Sequence, residues 1–168
     1  MQLEIPLPTV EYAAQKAYEK GVKVVLNPAP ACSLPESLFQ HLYMITPNRI
    51  EAEMLTGVKI NSKKDVAVAA DVLYRKGVKN IIITLGGEGS FVREGEKTCY
   101  IDACKVVPVD TTAAGDTFNG AVCVGVSEGM SLEQAVLFAS KASSISVTRM
   151  GAQSSIPYRK ELDINNLV

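Results

Sequence analysis

A lone carboxylate at a predicted helix start is the residue best suited to chemistry in this 168-residue chain. Asp116 directly follows Ala113, Ala114 and Gly115, and an apolar helical stretch comes after it. The free N–H groups and the positive dipole end of a helix start bind anions, and small residues let a phosphate group approach that backbone closely. A carboxylate beside such a phosphate is placed to take the proton of an attacking hydroxyl.

The same pattern also has a plainer interpretation. Asp116 would then only stabilise the helix dipole, by about 0.3–1 kcal/mol, and for an arbitrary sequence of this kind that interpretation is the better one. The stretch is not a Walker A loop, because no Gly-Lys-Ser/Thr ending follows it. The pattern alone therefore indicates a phosphate site without establishing one.

A glycine-rich stretch, "TLGGEGS" at residues 84–90, follows the most apolar predicted strand. Glycines at such a place suit a turn in which the backbone approaches a nucleotide. A simple glycine turn into a hairpin is equally well supported by the residues.

Two oxygen-bearing side chains, Asn48 and Glu51, lie one turn apart at another predicted helix start. On one helix face they could order water around Mg²⁺. Their spacing is also that of a capping box, with Asn48 as N-cap and Glu51 three residues later, and spacing alone favours the capping box.

Capping residues and apolar periodicity predict the elements that position these groups. Helices are predicted from Thr9 as N-cap to Gly21, over Pro35–Gln40, from Asn48 to Gly57, from Ser62 to Gly77, over 115–127, and from Ser131 towards Gly151. Strands are predicted within 22–30, within 43–46, from 80 to 84 and beyond the glycine turn, with hairpin chemistry at 94–96 and an apolar strand leading into residue 109.

Strands that alternate with helices of this length predict an α/β protein with a mostly parallel sheet covered on both faces. Ligands of such sheets bind at the carboxyl ends of the strands, which is where the three motifs fall. We find no linker or repeat, so one domain over residues 1–168 is predicted. The chain is already apolar and strand-like within five residues of Met1, which suggests a start inside a fold.

Composition excludes several classes of function. The net charge is −1, with no basic block, which argues against nucleic-acid binding. The four cysteines form no C-x-x-C pair and the single His has no partner at metal-ligand spacing. No signal peptide and no membrane span are predicted. We expect a cytoplasmic protein with reduced thiols.

Four stretches together resemble the ribokinase family of PfkB-type carbohydrate kinases, in order and at compatible separations over essentially the whole chain. They are "TPNRIEAEMLTG", "ITLGGEG", "VDTTAAGDTFNGA" and "SVTRMGAQSSIP". The resemblance implies a three-layer αβα fold and ATP-dependent phosphorylation of a sugar hydroxyl, with D-ribose converted to D-ribose 5-phosphate as the first expectation.

The resemblance also implies residue roles. Asp116 corresponds to the catalytic base, and the backbone of Ala113, Ala114 and Gly115 to the anion hole. Asn48 and Glu51 match an element that acts on Mg²⁺ and phosphate largely through water. The nucleotide-loop and adenine positions are Thr84, Leu85, Gly86, Gly87, Glu88, Gly89 and Ser140.

Members of the family bind a monovalent cation, usually K⁺, beside the anion hole. The positions that match its ligands, mostly through backbone carbonyls, are Asp110, Thr112, Ser146, Arg149, Gly151 and Ser155. The hypothesis that follows is that K⁺ orders residues 110–115.

This chain departs from the family pattern in three ways. Ala113 stands where many members have glycine, and Arg49 stands where an acidic residue is common. The third departure is length, since family chains are nearly twice as long. The expectation is a C-terminal nucleotide-binding and catalytic half, without the N-terminal half that carries the lid and most sugar contacts.

We therefore expect little ribose phosphorylation by this chain alone. Two alternatives stay open at this point. One is a non-catalytic nucleotide-binding or self-associating fragment, including a homodimer formed through exposed edges. The other is a kinase of another sugar, a nucleoside or a vitamin-type alcohol.

Overall fold

Helices and short strands alternate along the part of the chain that the computed structural model describes, residues 1–162. The helices are α1 (Leu7–Glu19), α2 (Glu36–Phe39), α3 (Arg49–Thr56), α4 (Lys63–Arg75), α5 (Ala114–Ser127) and α6 (Leu132–Ser146). The strands are β1 (Val25–Leu26), β2 (Met44–Ile45), β3 (Asn80–Thr84), β4 (Ser90–Glu94) and β5 (Lys97–Ile101). This arrangement confirms the predicted α/β class.

The five strands form one sheet in the order β1-β2-β3-β4-β5. β1 pairs with β2, and β2 with β3, in parallel, with Ile45 opposite Ile81. β4 and β5 are joined by two residues, a connection that only antiparallel neighbours can have, so the sheet is mixed. Gly95 in that connection has a φ of 60°, as the predicted hairpin turn requires.

Capping residues fix most helix boundaries where the sequence predicts them. The side chain of Ser62 accepts a hydrogen bond from the Asp65 N–H at the start of α4, and Ser131 forms a capping box at the start of α6. The prediction of Thr9 as the N-cap of α1 is wrong, because the helix begins at Leu7 after Pro6. Proline is compatible with the first turn of a helix, so Pro8 does not delay the start.

The apolar stretch before residue 110 is not a strand, contrary to the prediction. Val107 and Val109 are 84% and 61% exposed, and Pro108 offers no N–H for a ladder. At its end, the N–H groups of Val109 and Asp110 donate to the carbonyl of Val147 instead of to a neighbouring strand.

Helix α6 also ends earlier than predicted, at Ser146 rather than near Gly151. In a longer helix the Gly151 N–H would donate to the Val147 carbonyl. That carbonyl instead accepts from Val109 and Asp110, while the Gly151 N–H donates to the Asp110 carboxylate. The helix therefore ends because these backbone groups form hydrogen bonds with the loop before α5 and not with each other.

The chain divides into two compact units. The first unit comprises residues 1–85 and 91–100, and its apolar core is built around β3, where Ile81, Ile82 and Ile83 are fully buried. The second comprises residues 86–90 and 101 onwards and includes α5 and α6. A single domain over 1–168 stays a prediction. In residues 1–162 no helix is long and apolar enough to cross a membrane.

The second unit depends on a close approach of its two long helices. A Cβ on Gly125 of α5 would lie 3.0 Å from the Cβ of Ala135 of α6. Small residues at this crossing bring the two helix backbones close together. The pair of helices thus holds the first turn of α5 against the second half of α6.

Candidate active site

The turn that leads into α5 leaves backbone donors without an acceptor in the helix. Ala113 adopts the left-handed conformation, with φ 58° and ψ 16°. The Ala114 N–H donates to the Thr111 carbonyl at 3.2 Å, so this donor is engaged within the loop. Helix geometry leaves the next two N–H groups, those of Gly115 and Asp116, without an intrahelical acceptor. Both residues are exposed, so an anion can reach these donors.

Asp110 ties the loop before α5 to the segment after α6. One carboxylate oxygen accepts the Thr112 N–H and the other accepts the Gly151 N–H, each at 2.9 Å. Hydrogen bonds from the side chain and N–H of Thr112, and from the Gly151 N–H, hold the pKa of Asp110 below its usual value. The structure thus brings three of the sequence-predicted cation positions together.

A chain of three buried hydroxyl groups lies beneath the same turn. The Thr117 hydroxyl donates to that of Ser146 at 3.4 Å, and the hydroxyls of Ser146 and Ser155 lie 2.8 Å apart. Ser155 in turn donates to the Ala152 carbonyl at 2.7 Å. Two more of the predicted cation positions are therefore in direct contact, and they connect to the residue that follows Asp116.

The side chain of Arg149 does not take part in this arrangement. Its guanidinium pairs with the Glu161 carboxylate, and the same pair raises the pKa of Arg149 and lowers that of Glu161. Only the backbone of Arg149 is then available to a cation, which agrees with a carbonyl ligand. Within residues 1–162 no cluster of three His, Cys, Asp or Glu side chains is placed to hold a metal.

In the first unit, Asn48 and Glu51 form the capping box that their spacing favours. The Asn48 side chain accepts the Glu51 N–H at 2.9 Å, and the Glu51 carboxylate accepts the Asn48 N–H and side-chain amide, both at 2.8 Å. Glu51 is only 6% exposed, and this burial raises its pKa. A nearby cation would offset the cost of burying that charge, so the capping box leaves the magnesium interpretation open.

The same helix start lies beside the end of β3. Asn48 forms a parallel bridge with Thr84, and the Thr84 N–H donates to the Pro47 carbonyl at 3.0 Å. The proposed magnesium element and the beginning of the proposed nucleotide loop are therefore neighbours, as expected of the carboxyl ends of adjacent parallel strands. The Leu85 side chain packs into the core of this unit.

The glycines of the turn separate into two kinds. A Cβ on Gly89, which has a φ of 93°, would lie 2.0 Å from the Ile101 carbonyl oxygen, so Gly89 is required by the packing of the chain itself. Gly86 and Gly87 have open space at the Cβ position. The structural interpretation therefore holds at Gly89, and the ligand interpretation stays a prediction at Gly86 and Gly87. Glu88 next to them is exposed.

Sequence reasoning missed two side chains that contact the turn. The Ser143 hydroxyl donates to the Ala114 carbonyl at 3.0 Å, and the Asn119 amide donates to the Gly115 carbonyl at 2.9 Å. The available signal was the run of serines in α6, at 140, 143, 144 and 146, in a helix that otherwise presents apolar residues to α5. Ser140 is half-buried on the same helix.

Comparison with known proteins decides the family. The sequence profile of the pfkB family of carbohydrate kinases matches residues 1–159. The chain belongs to this family. Among its curated relatives, the ribokinase of Haemophilus influenzae is 50% identical over 161 residues, which are 96% of this chain and 53% of that protein.

Solved structures of family members agree with the fold. The ribokinase of Thermotoga maritima matches with a TM-score of 0.87 and 41% identity, over 99% of this chain and 54% of that one. The Arabidopsis thaliana ribokinase, solved with ribose and ATP, matches with a TM-score of 0.91 and 32% identity, over 99% of this chain and 54% of its own. The chain thus spans about half the length of the pfkB-family proteins that it matches.

Proposed function

We propose that residues 1–168 carry the nucleotide-binding and phosphoryl-transfer part of an ATP-dependent sugar kinase, with D-ribose as the acceptor. The observation that carries the proposal is the start of α5, where two N–H groups without a helix acceptor and the Asp116 carboxylate lie on exposed residues of a turn held by Asp110. Acidic residues are common at helix starts, but in a chain of the pfkB family of carbohydrate kinases this one is a candidate reaction centre.

In the proposed reaction Asp116 accepts the proton of the sugar hydroxyl as that oxygen attacks the γ-phosphorus of ATP. The bond from the γ-phosphorus to the bridging oxygen breaks, and ADP leaves. The predicted anion hole is the backbone of residues 113–115, but the Thr111 carbonyl already engages the Ala114 N–H. The N–H groups of Gly115 and of the adjacent Asp116 would therefore donate to the oxygens of the transferring group, where charge has to be stabilised.

Two metal ions are part of the proposal. Mg²⁺ would be held near Asn48 and Glu51 through water and would offset phosphate charge. K⁺ would be held by backbone carbonyls around Thr112, Ser146, Arg149, Gly151 and Ser155, with the Asp110 carboxylate beside them. The Asp110 bonds to Thr112 and Gly151 already hold the two segments of that cation site together.

The nucleotide would lie along residues 84–89 and near Ser140. Gly86 and Gly87 support this placement because their surroundings leave room for phosphate or ribose atoms. Ribose is the preferred acceptor because the relatives named above are ribokinases. A cytoplasmic location and a homodimer stay predictions.

Isothermal titration calorimetry with ATP and Mg²⁺ tests the binding part of the proposal. We expect saturable binding by purified 1–168, retained in Asp116→Asn and weakened when K⁺ is replaced by a cation that does not bind. Absence of binding at millimolar ATP, with stable self-association, would instead favour a structural fragment.

A coupled assay for ribose-dependent ADP release tests turnover separately. We expect little turnover by 1–168 alone, because phosphoryl transfer depends on excluding water and on fixing the sugar. Any ribose-dependent turnover that is present should be lost in Asp116→Asn. Robust turnover in that variant would exclude Asp116 as the base.

A further inference from the structure

Two side chains bind the carbonyl ends of the peptide groups whose N–H donors have no acceptor within α5. The Ser143 hydroxyl donates to the Ala114 carbonyl, and the Asn119 amide donates to the Gly115 carbonyl. A peptide group is planar, so its carbonyl oxygen and the N–H on its other side turn together. The carbonyl of Ala114 shares a peptide with the N–H of Gly115, and the carbonyl of Gly115 shares one with the N–H of Asp116.

We propose that Ser143 and Asn119 are positioning residues, which orient the Gly115 and Asp116 N–H groups toward the transferring phosphoryl group from the opposite ends of their peptides. This proposal rests on the proposed function for its ligand. It goes further by assigning the orientation of the donors to two side chains that bind the carbonyl ends of the same peptides.

The hydrogen bonds also act on the strength of the donors. A carbonyl that accepts a hydrogen bond polarises its peptide, and the N–H of the same peptide then becomes a better donor. Ser143 is on α6 and Ala114 is on α5, so this contact additionally locks the turn to a second helix. Asn119 acts within α5, four residues after Gly115.

The left-handed Ala113 explains why the turn needs such support. It precedes both peptides and holds a backbone conformation that alanine disfavours by about 1–2 kcal/mol. Without contacts on the carbonyl side, the strained turn has more freedom to reorient. Ser143 and the buried Thr117–Ser146 contact together fasten the first turn of α5 to α6.

The chain offers a matched control. Ser144 is the next residue on α6 and is half-buried like Ser143, but its hydroxyl donates to the Lys141 carbonyl within its own helix. Ser144→Ala therefore removes a comparable hydroxyl without touching the turn, and Ser143→Thr keeps a hydroxyl at the position under test.

Amide NMR on ¹⁵N-labelled 1–168 tests the orientation without any nucleotide. We expect Ser143→Ala to shift the Gly115 amide signal and speed its hydrogen exchange, and Asn119→Ala to do the same for Asp116. Ser144→Ala should leave both signals in place. An unchanged Gly115 amide in Ser143→Ala would overturn the proposal.

Calorimetry then separates positioning from general damage. Ser143→Ala should weaken Mg·ATP binding by about two- to tenfold, as expected for one lost hydrogen bond, and leave Mg·ADP binding unchanged, since ADP lacks the transferred group. Ser143→Thr should restore ATP affinity. Equal losses for ATP and ADP would contradict positioning. If wild-type 1–168 binds neither nucleotide, the proposed function fails while the amide signals still decide this inference.

Discussion

Replacing Ala113 with glycine should stabilise the protein or leave its stability unchanged, although glycine usually destabilises. Ala113 has a φ of 58° in the turn before α5. Alanine in that conformation loses about 1–2 kcal/mol relative to right-handed backbone, and glycine does not. The greater entropy of the unfolded chain with glycine offsets about 0.5–1 kcal/mol of this gain, so the net change is between about zero and 1.5 kcal/mol in favour of Ala113→Gly.

The neighbouring alanine is the matched control. Ala114 is the first residue of α5, where replacement by glycine costs up to about 1 kcal/mol. The two variants should therefore differ by about 1–2.5 kcal/mol in the free energy of unfolding, or about 2–10 °C in Tm for a protein of this size. Urea and thermal unfolding of both variants measure the gap. Equal destabilisation by the two substitutions would refute the left-handed assignment of Ala113.

Three further predictions concern other residues of the two units. Gly89→Ala should destabilise the fold by about 2–4 kcal/mol, because the added methyl group would clash with the Ile101 carbonyl oxygen. Gly87→Ala has open space, so it should unfold like wild type and weaken only ATP binding. Equal losses of Tm in the two variants would contradict this expectation. Glu51→Gln should lose about 1–3 kcal/mol of stability, because one of the two accepting oxygens becomes an NH₂ group that faces an Asn48 donor, and it should weaken Mg²⁺-dependent ATP binding about tenfold in calorimetry. For Glu53 the Ile60 N–H, followed by Lys59, lowers the folded pKa. The ionised Glu53 therefore stabilises the folded protein above its unfolded pKa of about 4.3, and this contribution is lost as the pH falls through its folded pKa. In urea titrations between pH 6 and 3, Glu53→Gln should consequently lose less stability than wild type.

Local signals predicted those parts of the fold that local chemistry determines. Asn48, Ser62 and Ser131 cap their helices as their side chains indicate, and Gly57 closes α3 in the left-handed conformation. The predicted strand before residue 110 failed because apolar content alone does not create a pairing partner, and Pro108 removes a donor. Which strand pairs with which is a long-range property that no short motif encodes.

Those residues of the candidate site that belong to one sequence motif could be predicted. Those that contact the motif from distant parts of the chain could not. The carboxylate at the helix start is visible from its neighbours in sequence. The Asp110 bond to Gly151 joins residues 41 positions apart, and the Ser143 bond to Ala114 joins residues 29 apart. Such contacts depend on how α5 and α6 pack, so the residue types alone could not identify them.

The central claim is that the start of α5 receives the phosphoryl group of ATP. Titration of ¹⁵N-labelled 1–168 with Mg·ATP, followed at the amide signals of Gly115 and Asp116, tests it most directly. We expect large saturable shifts of these two signals with ATP and small ones with ADP. Saturable ATP binding that leaves both signals unmoved would contradict it.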